Sequence, residues 1–154
     1  MRTGASKRFA LSSVVVPEHI APFTVIRIPF TFPNQPGDEP KLFIVLGHFD
    51  GHAHCLKTTT QSRFYDSNPD AMAGCVVYEA GTVTCFRKRT IIPSDSHFEI
   101  RHYILAVDSS RGSLEVIGPM PPDFRGRLLQ AIGNSETLDG RGKRWLGNAL
   151  GIAL

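Results

Sequence analysis

The residues of this chain with the plainest capacity for chemistry are its clustered cations. Arg87-Lys88-Arg89 is a compact basic triplet. In an extended strand alternate side chains face opposite sides, which puts Arg87 and Arg89 together on a face able to meet phosphates, with Lys88 turned away. Arg27, Lys57 and Arg63 are further cations for such a surface, and Phe64 and Tyr65 are rings on which unpaired bases stack. The same residues equally describe an ordinary solvated sheet face. A second grouping is His48, Asp50, His52 and His54, in which His52 and His54 share a strand face. Imidazoles so spaced suit a metal ion. Alternatively they supply a base of near-neutral pKa, a role for which His54 and His102 are candidates. Turns of this composition are also often merely polar. Thr58-Thr59-Thr60, before Gln61, are at face value β-branched strand formers, and Lys41 after Pro40 is a solvated strand end. No glycine-rich phosphate loop, nucleophile elbow or paired-carboxylate pattern occurs.

The pattern around these residues predicts a β-rich scaffold. Phe23–Phe32 is rich in β-branched and aromatic residues, with Pro29 restricting it to an edge or bulge. Residues 33–40 form a loop by composition, and Lys41–Leu46 is a continuous apolar run, as in a strand covered on both faces. Gly47–Gly51 carries turn residues, so His52–Thr60 reads as the return strand of a hairpin. Gln61–Ala73 is a polar loop or short helix. Further strands are expected at Cys75–Tyr78 and Thr82–Ile92, and a second hairpin from His97–Val107 and Leu114–Ile117. Pro121-Pro122-Asp123 leads into a helix with Phe124, Leu128, Leu129 and Ile132 on one face, stopping near Gly133-Asn134. Val14–Val16 reads as an edge strand. Successive short strands followed by a helix predict a mainly β fold, a small strongly bent sheet or partly open barrel with a C-terminal helix. Residues 1–20 read as an N-terminal extension, 21–138 as the barrel domain, and 139–154 as a basic and apolar tail that docks as a short helix or stays loose.

Composition bounds the function only loosely. A chain of 154 residues with 42% apolar and 20% charged content is one ordinary globular domain. A net charge of +3 permits an anionic partner without demanding one. Cys55, Cys75 and Cys85 fit no metal pattern and read as free thiols buried in strands of a reduced, intracellular protein. No stretch has the apolar length to cross a bilayer. The run Phe9–Val16 is broken by Ser12 and Ser13 and ends at Pro17, unlike a secretory signal, so a cytoplasmic location is expected.

A family resemblance enters through the order of several motifs. Val25-Ile26-Arg27-Ile28-Pro29-Phe30-Thr31-Phe32 is followed by the polar loop and by Lys41-Leu42-Phe43-Ile44-Val45-Leu46. After the hairpin come Thr58-Thr59-Thr60-Gln61-Ser62, the stretch Val83–Ile91 ending Arg89-Thr90-Ile91, and the helix Pro122–Ile132. Over residues 23–92 and 114–133 this succession resembles MazF/PemK-type toxins of type II toxin–antitoxin systems. The resemblance implies an SH3-like, CcdB/PemK-like barrel and a homodimer. It implies a metal-independent, sequence-selective endoribonuclease acting on single-stranded RNA, without a cofactor and with a cognate antitoxin as partner. Matched residue by residue, Lys41 and Thr59 fall at the catalytic positions, with Arg27, Thr60, Gln61, Arg63, Arg87 and Arg89 as RNA contacts. The chain departs from the pattern at Lys41, where the family has arginine and its planar two-donor fork. Leu42 replaces a proline, and Phe86-Arg87 replaces an acidic-glutamine pair. The alternatives are an inactive nucleic-acid- or protein-binding module on the same barrel, and a small metalloprotein built on the histidine turn.

Overall fold

Asp50 and Gly51 both take positive φ, 52° and 74°, the geometry of a type I′ turn, whose twist matches that of the two strands it joins. The computed structural model describes residues 15–29 and 40–154. Among these, a 3-10 turn at Pro17–His19 precedes the strands β1 (Thr24–Pro29), β2 (Pro40–Phe49) and β3 (His52–Lys57). The short helices α1 (Arg63–Asp66) and α2 (Pro69–Ala73) follow, then β4 (Cys75–Tyr78), β5 (Thr90–Pro93) and β6 (His97–Arg101). The chain ends with α3 (His102–Ser110), β7 (Glu115–Pro119), α4 (Phe124–Asn134) and α5 (Gly140–Leu150).

The main sheet is antiparallel in the order β6-β3-β2-β1-β7, and β4 with β5 makes a second, two-stranded sheet. Its two edges, β6 and β7, do not meet, so the sheet is open rather than closed into a barrel. The fold is therefore β-rich but mixed, with helices on both faces. Alternation explains how. Val25, Ile44, Leu46 and Leu56 face one way, onto Val76, Tyr78 and Ile92 of the small sheet and onto α4 and α5. Ile26, Ile28, Phe43, Val45 and Cys55 face the other way, onto Ile100, Leu105 of α3 and Ile20. A strand buried on both sides has no polar alternate, which is why Lys41–Leu46 reads as an unbroken apolar run.

The helix α4 forms where its apolar spacing predicts, burying Phe124, Leu128, Ala131 and Ile132, with each large side chain contributing about 2 kcal/mol. It is fastened to β4 by a polar node. The Tyr78 hydroxyl donates to Asp123 at 2.9 Å, while Arg127 lies over the Tyr78 ring at 4.4 Å and donates to the Val77 carbonyl. The C-terminal tail is a docked helix, α5, capped by Asp139 at its start and by Gly151 in the left-handed region at its end. It lies so close to β2 that a side chain at Gly47 would overlap the Ala149 carbonyl.

Several expectations are corrected. The run His97–Val107 is not one strand; β6 ends at Arg101 and α3 begins at His102. β6 and β7 lie at opposite edges of the sheet, so the second hairpin does not exist. Of Thr82–Ile92, only Thr90 onward is strand; Val83 and Phe86 are buried from an irregular segment. β2 continues through Phe49, and β3 stops at Lys57. Val15 and Val16 belong to no strand. The ends of two expected features, Phe30–Phe32 and Pro33–Glu39, lie outside the described residues, as does Val14.

Candidate site at the crossing between the sheets

The chain leaves one sheet for the other at Thr58–Gln61. The β2–β3 register pairs Phe43 with Lys57, and the next residue, Thr58, gives both its N–H and its hydroxyl to the Leu42 carbonyl, at 3.4 and 3.0 Å. One residue further, Lys41 and Thr59 stand next in that register, but Thr59 turns instead to Ile91 of β5. Its N–H donates to the Ile91 carbonyl at 2.9 Å, and the Ile91 N–H returns to its own carbonyl at 2.8 Å. β-branched threonine suits this corner, because one residue must serve two ladders in extended conformation.

The Thr59 hydroxyl oxygen accepts the Gln61 N–H at 3.1 Å. Its own proton is given to no acceptor among the described residues. Lys41 is half-buried at the start of β2 and makes no ion pair among the described residues. Thr60, Gln61 and Arg63 are exposed, and the exposed Phe64 ring packs edge-on against Tyr65. Arg87 is exposed and unpaired among the described residues.

Two further cations are committed elsewhere. Arg27 sits opposite Glu115 in the β1–β7 pairing and donates to its carboxylate at 2.6 Å. It shares a face with Leu42, whereas Lys41 lies opposite Ile28 on the other face. Arg89 reaches Asp66 of α1 at 2.8 Å and Glu79 at 3.5 Å. The hydrogen bond from Arg89 holds the Asp66 carboxyl below its ordinary pKa, and Arg89 is raised in turn. Arg87 and Arg89 are not in a strand, so the shared face expected of them does not arise from alternation. Lys57 lies 6.0 Å from the centre of the Phe98 ring.

The sheet crossing thus carries Thr59, Thr60 and Gln61, with Arg63 at the start of α1 and Arg89 bound to Asp66 at its end, while Lys41 stands at the start of β2 on the face away from Arg27. Asp66 and Glu79 are the partners that sequence reasoning missed. Asp66 lies 23 residues before Arg89 in a loop-like stretch, and no local pattern signals the contact.

The histidines are dispersed rather than gathered. Among the described residues no three metal-ligating side chains stand close enough to hold an ion. His48 faces His102 and the Ile20 carbonyl, whereas His54 is buried on the opposite face against Trp145. All three cysteines are free. Burial raises the Cys55 thiol far above its ordinary value, and burial with Asp95 raises Cys75 to about 11, so neither is a thiolate nucleophile near neutrality. No described helix is long and apolar enough to cross a membrane. No protein-family model matches this sequence, and no curated protein matches it either.

Proposed function

We propose that the sheet crossing binds single-stranded RNA and cleaves it, with Lys41 and Thr59 acting on the phosphate. The observation that carries this reading is that both groups keep uncommitted donors beside the bond by which Thr58 ties the end of β3 to Leu42 of β2. Arg27 and Arg89, by contrast, are already neutralised. Cleavage of this kind uses the ribose 2′-oxygen, which bonds to phosphorus as the bond to the 5′-oxygen breaks. The 2′ proton is lost and the 5′-oxygen gains one, leaving a cyclic phosphate and a free hydroxyl. Negative charge builds on the non-bridging oxygens in the transition state. A lysine ammonium and a threonine hydroxyl aimed there stabilise it more than the ground state, each worth about 3 kcal/mol in a well-formed site.

Lysine binds phosphate as a point charge, without the fork of arginine, so Lys41 supports charge stabilisation but weaker orientation. Thr60, Gln61, Arg63 and Arg87 then line the path of the strand, with Phe64 as a stacking surface. On this reading the chain is a toxin-like endoribonuclease of the MazF/PemK kind, its open sheet a variant of that family's SH3-like barrel. It works as a homodimer in the cytoplasm, under a cognate antitoxin. A nucleic-acid- or protein-binding module without catalysis is the second reading, favoured by Lys41, which lacks the two-donor fork of the arginine expected there.

Incubation of the purified chain with a long RNA in EDTA tests both. Metal-independent cutting that falls about a hundredfold in Thr59→Ala and in Lys41→Ala is the expected result. RNA bound intact, with affinity falling steeply with salt, establishes the module instead. Neither cutting nor binding overturns both.

A further inference from the structure

The histidine turn singled out in the sequence plays no part in the RNA reading, yet His48 makes an unusual contact. Its Nδ1 lies 2.8 Å from His102 Nε2, and its Nε2 lies 2.8 Å from the Ile20 carbonyl oxygen. His102 Nδ1 in turn lies 3.5 Å from Glu18 Oε1. The chain of contacts therefore runs from the segment before β1, through β2, to the first residue of α3, and back to the same segment.

The proton positions follow from the partners. A carbonyl only accepts, so His48 Nε2 carries a hydrogen and donates to Ile20. In the neutral ring His48 Nδ1 is then an acceptor, and His102 Nε2 must donate to it. This leaves the His102 Nδ1 lone pair facing the Glu18 carboxylate with no hydrogen between them. A first added proton lands there, pairs with Glu18, and leaves the imidazole–imidazole bond intact. A second proton can only go to His48 Nδ1. It removes the acceptor and sets two N–H groups against each other.

We propose that the His48–His102 pair is an acid-released latch, which fastens residues 15–20 over the α3 face of the sheet at neutral pH and frees them when both rings are charged. The charged and titratable groups that act on His102 are Glu18 from the 3-10 turn, His48 from β2, His52 from β3 and, through the sheet from its other face, His54. Burial first, then His48, holds the His102 pKa below the ordinary histidine value, against the pull of Glu18. Glu18 is 55% exposed, so solvent screens its attraction. The folded chain hence binds fewer protons than the unfolded one just below about pH 6.5, and acid works against the contact. Two other tethers of the segment do not titrate in this range: the Val15 N–H donates to Ser109 of α3, and Ile20 is buried in the core.

Amide hydrogen exchange on the full chain, read residue by residue at about pH 7.5 and about pH 5.5, tests the latch within the histidine range. After correction for intrinsic rates, protection of the His19 and Ile20 amides is expected to fall by up to about tenfold for each pH unit within that range, while Ile44 in β2 keeps its protection. His102→Gln retains a donor for His48 but not the titrating ring, and should flatten the profile. Glu18→Gln, at an exposed position that does not endanger folding, should move the release to higher pH, because without that carboxylate the closed latch holds its first proton less well. Protection that is independent of pH in the wild type overturns the proposal. So does an unchanged release midpoint in Glu18→Gln, even if His102→Gln fails to fold.

Discussion

Trp145 donates its indole N–H to the Glu99 carboxylate at 2.8 Å, joining the last helix to the edge strand β6. Its ring also packs at a tilt against those of His54 and His97, with centroids 5.1 and 4.8 Å away. Glu99→Leu is expected to lower stability by about 1 kcal/mol, the net worth of one such hydrogen bond. Glu99→Gln keeps an acceptor oxygen and should lose clearly less. Because Trp145 is the only tryptophan, its fluorescence follows α5 directly during urea unfolding. Equal losses in the two variants would show that the carboxylate's charge, and not its acceptor, holds the helix.

Alkaline stability should depend on Tyr78. Burial, together with its bond to Asp123, raises this phenol from 10 to about 12. The folded state thus favours the protonated ring. That stability is fully present below about pH 10, where free tyrosine begins to ionise, and is lost as pH rises through the folded value. Wild type should lose about 2 kcal/mol between those limits by chemical denaturation. Tyr78→Phe should lose none of this alkaline increment, while being about 1 kcal/mol weaker at neutral pH for want of the Asp123 bond. A phenylalanine variant that falls equally fast in alkali would place the sensitivity elsewhere.

How much of this was readable in advance differs from element to element, for physical reasons. The β2–β3 hairpin and α4 were legible because local chemistry and burial agree there: Asp50-Gly51 favours the turn, and Phe124, Leu128 and Ile132 make one helical face. α3 was not. His102–Val107 contains Tyr103, Ile104 and Val107, residues of strand preference, and only the sheet face beneath Leu105 makes them helical. Val83 and Phe86 read as strand residues in the sequence, yet core burial constrains the side chain and not the backbone path. At the candidate site, the approach of the start of β2 to the end of β3 is legible from the hairpin, but the turn of Thr59 onto Ile91 is not. Nor are the ion pairs that occupy Arg27 and Arg89, since charge clusters in sequence say nothing of distant carboxylates.

Those ion pairs set a prediction for RNA affinity. Asp66 holds Arg89 through a 2.8 Å contact that any phosphate must displace. Asp66→Asn should release the guanidinium, tighten binding of a single-stranded RNA, and steepen the salt dependence by about one phosphate contact. Filter binding over a range of salt concentrations measures both quantities. An unchanged slope would mean that Arg89 stays with Glu79, or lies off the RNA path. The double substitution with Glu79→Gln separates these two outcomes.

Two glycines that look alike in sequence should respond in opposite ways to alanine. Gly47 lies in β2 beneath α5, where an added Cβ meets the Ala149 carbonyl, a backbone atom that cannot rotate away. Gly47→Ala must push the helix off the sheet, and should cost about 2 kcal/mol as an overpacked contact. Gly126 lies on the outer side of α4 with nothing within 4 Å of the added carbon. Gly126→Ala removes the entropic penalty of glycine in a helix, and should stabilise by up to about 1 kcal/mol. Thermal melts of the two variants beside wild type give the answer. If Gly47→Ala melts with wild type, α5 does not sit against β2 as tightly as this contact requires.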